Sequence, residues 1–199
     1  MADAAAIAAI YAPYVTDTFI SFEQTPPDAA EISRRMTSDP SLPWLVVTLG
    51  ASVDDPSEST TSGGADSGSS SAGDRVVGYA YASQHRPRAA YRWAADCTVY
   101  LAGDHQRAGY GRRLYTALLD ELRNLGYTNV FAGIALPNAA SVGVHEALGF
   151  SRVGVFRRIG YKAGRWYDVG WWQLELQTAH RIHRQADTVP TDPRPWQPR

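Results

Sequence analysis

The ten residues "HQRAGYGRRL" (His105–Leu114) decide how the rest of the chain is read. They hold two glycines and three arginines and stand between "DCTVYL" (96–101) and "YTALLDELRNLGY" (115–127). The first flank reads as a strand and the second as an amphipathic helix. Glycine at a strand-to-helix turn lets the backbone approach a ligand closely. The first helical turn adds amide N–H groups without intrahelical partners, which is a phosphate-binding geometry.

The bulk of the sequence narrows the setting. A chain of 199 residues, 44% apolar, can bury one good core and fits one domain. A formal net charge of −1 offers no basic field for nucleic acid, and no apolar run is long enough to span a membrane. The single cysteine, Cys97, excludes an internal disulfide and fits a reducing compartment. The start "MADAAAIAAIYAPYV" carries Asp3 where a signal peptide needs positive charge, so it reads as the first helix of a cytoplasmic protein. Lys162 is the one lysine in the chain.

Ile7, Ile10, Tyr11 and Tyr14 share one helical face, with Pro13 expected to kink or end that helix. "WLVVTL" (44–49) and "VVGYAYA" (76–82) read as strands. The Ser/Gly-rich stretch between them, Gly50 to Arg75, has Val53 as its only large apolar residue, and is expected to be a disordered insertion in a hairpin. Next come a strand near 93–101, a helix near 110–125 and a strand over 128–135. A short helix over 139–148 stops at Gly149. Two β-rich stretches, 150–161 and 166–176, follow, joined by a turn at "KAGR". The domain is thus expected to cover residues 1–177, with a loose Pro/Arg-rich tail over 178–199. The order of elements implies an α/β protein with a mixed sheet.

Three nucleotide-binding patterns compete for the glycine loop. A P-loop needs a lysine and a spacing that are absent, and a dinucleotide fingerprint needs a third glycine where Leu114 stands. The pattern Q-x-x-G-x-G is met by Gln106, Gly109 and Gly111. A second motif follows in "NAASVGVHEALGF" (Asn138–Phe150), where N-x-x-A-x-x-x-Y-x-x-x-G-F is matched in spacing, with Ser141 and His145 in the alanine and tyrosine places. In these two motifs the chain resembles the GCN5-related N-acetyltransferases (GNAT family). Within that family "YRWAADCTVYL", "HQRAGYGRRLYTALL", "LPNAASVGVHEALGF" and "GRWYDVGWWQLEL" look like the phosphinothricin and methionine sulfoximine acetyltransferases, over about Ile7 to Leu176.

The resemblance implies a GNAT fold: a mixed central sheet, flanked by helices, whose splay between two parallel strands binds acetyl-CoA. It implies that the backbone of Val99, Tyr100 and Leu101 pairs with the pantetheine. Gln106, Arg107, Ala108, Gly109, Tyr110, Gly111 and Arg112 would hold the pyrophosphate, with Arg113 adding charge and Asn138 and Ser141 completing the cofactor site. Asp96, in "DCTVY" where relatives have E-S-T-V-Y, aligns with the general base. His145 aligns with the general acid for the thiolate. Phe22, Arg86, Arg88 and Tyr91 align with the substrate side. Tyr115, although within reach of the pantetheine, is expected to pack the core. Cys97 should point opposite Asp96 and also pack, and Trp166, Trp171 and Trp172 should serve sheet and dimer packing.

The expected activity is transfer of acetyl from acetyl-CoA to the amine of phosphinothricin, methionine sulfoximine or methionine sulfone. The protein is expected to be a cytoplasmic homodimer without metal, nucleic-acid or membrane partners. The alternatives are an acetyltransferase for another small amine, or a degenerate acetyl-CoA-binding domain without turnover. Relatives also open with a strand of the type I-R-x-A, whereas Met1 aligns just before the first helix here. A start upstream of Met1, or a truncated domain, is therefore expected, with Asp3 suited to cap that helix.

Overall fold

A computed structural model describes residues 3–50 and 75–177. The chain opens with α1 (Ala4–Thr16), which buries Ile7, Ile10, Tyr11 and Val15. Pro13 lies inside α1 without ending it. Asp3 is at the N-cap position, but its carboxylate caps nothing; only its backbone carbonyl takes part, accepting from Ile7 N–H at 2.8 Å. A second helix, α2 (Ala29–Ser38), was not expected from the sequence. Its N-terminus is capped by the Asp28 carboxylate, which accepts the Glu31 N–H at 2.8 Å.

The strands follow as β1 (Trp44–Leu49), β2 (Arg75–Gln84) and β3 (Ala94–Leu101). Then come α3 (Tyr110–Asn124), β4 (Asn129–Leu136), α4 (Ala139–Ala147), β5 (Ser151–Lys162) and β6 (Arg165–Glu175). They form one six-stranded sheet in the order β1-β2-β3-β4-β6-β5. Every neighbouring pair is antiparallel except β3 and β4. The turn at "KAGR" closes the β5–β6 hairpin through Ala163 and Gly164, both in the left-handed region. Of the stretch expected to be an insertion, Arg75 belongs to β2, opposite Leu49, and residues 51–74 lie outside the described residues. So do residues 178–199. No helix among the described residues is long and apolar enough to cross a membrane.

Strand alternation sorts side chains to two faces. On one, Ala95 and Cys97 of β3 and Val130 and Ala132 of β4 meet Leu114, Leu118 and Leu122 of α3. Full burial of each such leucine contributes about 1.5–3 kcal/mol. On the other, Tyr79 and Tyr100 pack against α1 and α2. Asp96 points to this second face, as expected from Cys97 facing the first.

The long connection between α1 and α2 is tied down at several points. The Tyr11 hydroxyl donates to Glu23 and lies 2.7 Å from Ser21 Oγ, and Arg35 binds Glu23 at 2.7 Å. Phe19 stacks on Tyr167 of β6 at 4.5 Å. Lys162, buried at the end of β5, donates to the carbonyls of Val15 and Ser21. Replacing it with methionine keeps the stem but leaves both carbonyls without that donor. Lys162→Met is expected to lower the free energy of unfolding in urea by about 1–3 kcal/mol. An unchanged unfolding midpoint would show that this lysine holds nothing.

Candidate active site

The parallel pairing of β3 with β4 lasts for three rungs, Ala94 with Asn129, Ala95 with Val130 and Asp96 with Phe131. Beyond Asp96 the strands part. β3 stays with β2 as far as Leu101, and β4 stays with β6 as far as Leu136. The wedge between them holds a cleft of about 60 Å³, walled by Cys97–Tyr100, Ala132–Ala135, Ile20, Tyr115, Asn138, Ser141 and His145. Asp96 stands at its apex.

At the wide end of the wedge, Gly109 takes φ 84° and hands the chain into α3. The first intrahelical bond of this end is Arg113 N–H to the Gly109 carbonyl, which leaves the amides before it for a ligand. Arg107, Arg112 and Arg113 are exposed and have no ion-pair partner among the described residues. Unbonded amides and exposed guanidinium groups at a helix start can take up an anion. The Gln106 side chain, however, turns the other way and donates to the Tyr14 hydroxyl at 3.0 Å. Tyr14 in turn donates to the Leu101 carbonyl at 2.6 Å. Gln106 therefore fastens the loop to α1, and of the β3 backbone expected to pair with pantetheine, Tyr100 is bonded to Tyr79 of β2 and the Leu101 carbonyl to Tyr14, which leaves Val99 and the Leu101 N–H.

Asn138 caps α4, its side-chain oxygen accepting the Ser141 N–H at 3.1 Å. One turn on, His145 is buried, and burial holds its imidazolium below histidine's ordinary pKa. Its Nδ1–H donates to the Ser141 carbonyl at 2.7 Å, so Nε2 is the acceptor and takes the Tyr115 hydroxyl proton at 2.9 Å. Both ring nitrogens are thus engaged, and Tyr115 shares the wall of the cleft with His145. Tyr115 packs the core as expected, at 1% exposure, and also makes this bond and a hydrogen bond to the Cys97 thiol. Burial pushes that thiol well up, so Cys97 is no nucleophile.

As pH falls, the unfolded chain takes up the His145 proton before the folded one does. The stability gained from neutral His145 is present above about pH 6.5 and lost below it. The melting temperature is expected to drop on going from about pH 7 to about pH 5.5, and less steeply in His145→Gln. Parallel curves for the two proteins would exclude that linkage.

On the opposite face, Asp96 Oδ1 lies 2.6 Å from Nδ1 of His85, a residue not singled out in the sequence. Desolvation raises the Asp96 carboxyl above the usual carboxylate range, against the pull of His85. His85 stacks on Phe131 of β4 at 4.3 Å and 17°. Tyr91 and Trp171 each lie 6.2 Å from it, ring to ring. Arg86 and Arg88 are exposed in the connection after β2, and Arg86 donates to the His85 carbonyl. Phe22, on the α1–α2 connection, lies over Gly160 of β5, where a Cβ would collide with its ring. Of the tryptophans, Trp172 is core, Trp171 faces the His85 side, and Trp166 is exposed beside Tyr161.

A mixed sheet opened at its one parallel pair, with a glycine-capped helix at the mouth, defines an acyl-transfer class. The chain matches the model of the acetyltransferase (GNAT) domain over residues 69–171 and belongs to that family of acetyltransferases. Among its relatives, the phosphinothricin N-acetyltransferase of Streptomyces viridochromogenes is 34% identical over 200 residues, spanning 99% of this chain and 90% of that one. The L-methionine sulfoximine/L-methionine sulfone acetyltransferase of Salmonella typhimurium is 39% identical over 101 residues, 51% of this chain and 59% of its own. The crystal structure of a Sinorhizobium meliloti phosphinothricin acetyltransferase in complex with acetyl-CoA superposes with a TM-score of 0.75. It is 29% identical and covers 96% of this chain and 89% of that one.

Proposed function

We propose that this acetyltransferase moves the acetyl group of acetyl-CoA to the amine of a small glutamate-like amino acid such as phosphinothricin, methionine sulfoximine or methionine sulfone. The observation that carries this reading is the wedge itself, with a carboxylate at its apex and a run of free amides at its mouth. The residues present fit the coenzyme. Backbone of Val99 and the Leu101 N–H face the wedge, on the edge of β3 not used by β2, and the amides of Ala108 to Arg112 lie where a pyrophosphate gains both N–H donors and the helix dipole.

The amine arrives as an ammonium ion and must lose a proton before it can attack the thioester carbonyl. The negative charge of Asp96 favours that loss. Sulfur needs a proton as it leaves, and the Tyr115–His145 pair lies on the far wall of the same cleft to supply it. Arg86 and Arg88 offer forked donors to the acid groups of such a substrate, and Tyr91 and Phe22 would line its path. The exposed apolar side chains of Val153, Phe156, Ile159 and Trp166 on the β5–β6 hairpin support a homodimer.

Thiol release from acetyl-CoA in the presence of a panel of amines tests the reading. Turnover is expected with the three named amino acids and not with polyamines or peptide N-termini. Turnover confined to those other amines would replace the substrate class. Coenzyme binding without turnover of any amine would leave a degenerate binding domain.

A further inference from the structure

The contact between His85 and Asp96 has the geometry of a paired base rather than of a lone carboxylate. His85 is the first residue after β2, where Ser83 stands opposite Asp96 in the antiparallel register. That register brings the ring to the carboxylate at the apex of the wedge. An ionised carboxylate only accepts, so the 2.6 Å bond places the ring proton on Nδ1. Nε2 is then left with its lone pair, and it has no hydrogen-bond partner among the described residues. Stacking on Phe131 fixes the ring plane. The side chain keeps 12% of its surface open, enough for a proton to leave to solvent. The Trp171 indole lies edge-on to the ring at 6.2 Å, its Nε1 buried and without an acceptor among the described residues.

We propose that His85 Nε2 is the group that takes the proton from the substrate ammonium, and that Asp96 is the positioning residue that sets its tautomer and stabilises the imidazolium. This inference deepens the acetyltransferase reading and rests on it. The short aspartate side chain holds the histidine, and the imidazole supplies the reach. In sequence, one ammonium proton passes to Nε2 and on to solvent. The nitrogen lone pair then forms the N–C bond at the thioester carbonyl, the C–S bond breaks, nitrogen loses a second proton and sulfur takes one. Each turnover releases one proton, one acetylated amine and one free thiol. The charged and titratable groups around the ring are Asp96 from β3, Arg86 beside it and Tyr91 from the turn after β2. Phe131 of β4 and Trp171 of β6 carry no charge.

The test compares wild type with His85→Gln and His85→Asn, using whichever amine wild type acetylates. Either amide keeps a donor for Asp96 but cannot accept a proton at that strength. Calorimetric binding of acetyl-CoA checks that each variant is folded and is expected to match wild type. kcat/KM for the amine is expected to fall by about 100-fold or more near neutral pH, with the acid limb of its pH profile displaced. Both variants within about threefold of wild type, with the same acid limb, would overturn the proposal. Nitrogen-15 spectra of the wild-type histidines provide a readout independent of turnover. A proton on Nδ1 of His85 supports the dyad, and a proton on Nε2 in the neutral form overturns it. Failure of wild type to acetylate any amine would instead reject the parent reading, and the nitrogen-15 result would still decide the dyad.

Discussion

Asp96→Asn is expected to lower kcat/KM for the amine by about 10²- to 10⁴-fold while acetyl-CoA binds as before. The side chain keeps its size, so the effect is one of charge and proton placement. An asparagine amide would donate to His85 Nδ1, moving the ring proton to Nε2, where it blocks acceptance of the ammonium proton. It also removes the charge that favours an imidazolium. Asp96→Glu tests the geometry from the other side. Here the extra methylene of a glutamate would push into a ring already at 2.6 Å and stacked on Phe131. A fall of about tenfold or more is expected, because misplacement of about an ångström is costly in proton transfer. A rise in turnover would show that the pocket is not fitted to aspartate. Steady-state kinetics over a range of pH checks both variants.

The second large effect is expected on the opposite wall. Tyr115→Phe keeps the ring in its core site and removes the hydroxyl shared by His145 and Cys97. His145→Gln removes the other half of the pair. Each is expected to reduce kcat by about 100-fold, with affinity for acetyl-CoA within about threefold, because sulfur needs its proton only as the C–S bond breaks. The double variant is expected to be no slower than the worse single one, since the two groups act as a unit. Stopped assays of free thiol, paired with calorimetry for the coenzyme, separate the two quantities. If both single variants turn over at the wild-type rate, sulfur is protonated by water and the pair is structural.

The sheet was legible because its strands are apolar, β-branched and bounded by turn residues. "WLVVTL" coincides with β1, and "KAGR" is the β5–β6 turn. α2 was not legible, since its apolar face is short, with Ile32 its one buried residue and Met36 one turn on packing beside it. The usable signal was Asp28 three residues ahead of Glu31, the spacing of a helix-capping pair. For the candidate site, the glycine loop and the Asn138–Phe150 motif read through from sequence, but side-chain direction did not. Gln106 lies in the expected motif and turns to Tyr14. His145 is in the expected place, with Tyr115 bonded to its Nε2. His85 could not be found from spacing, because it lies in coil beyond its strand. Only the pairing of β2 with β3 brings it to Asp96.

A crystal structure with coenzyme A and phosphinothricin bound together tests the central claim most directly. The expected result has pantetheine amides paired with the backbone of Val99 and the Leu101 N–H, the pyrophosphate on the amides of Ala108 to Arg112, and the substrate nitrogen at the apex of the wedge within hydrogen-bond reach of His85 Nε2. A coenzyme bound away from the β3–β4 wedge, or a substrate nitrogen remote from both His85 and Asp96, would contradict it.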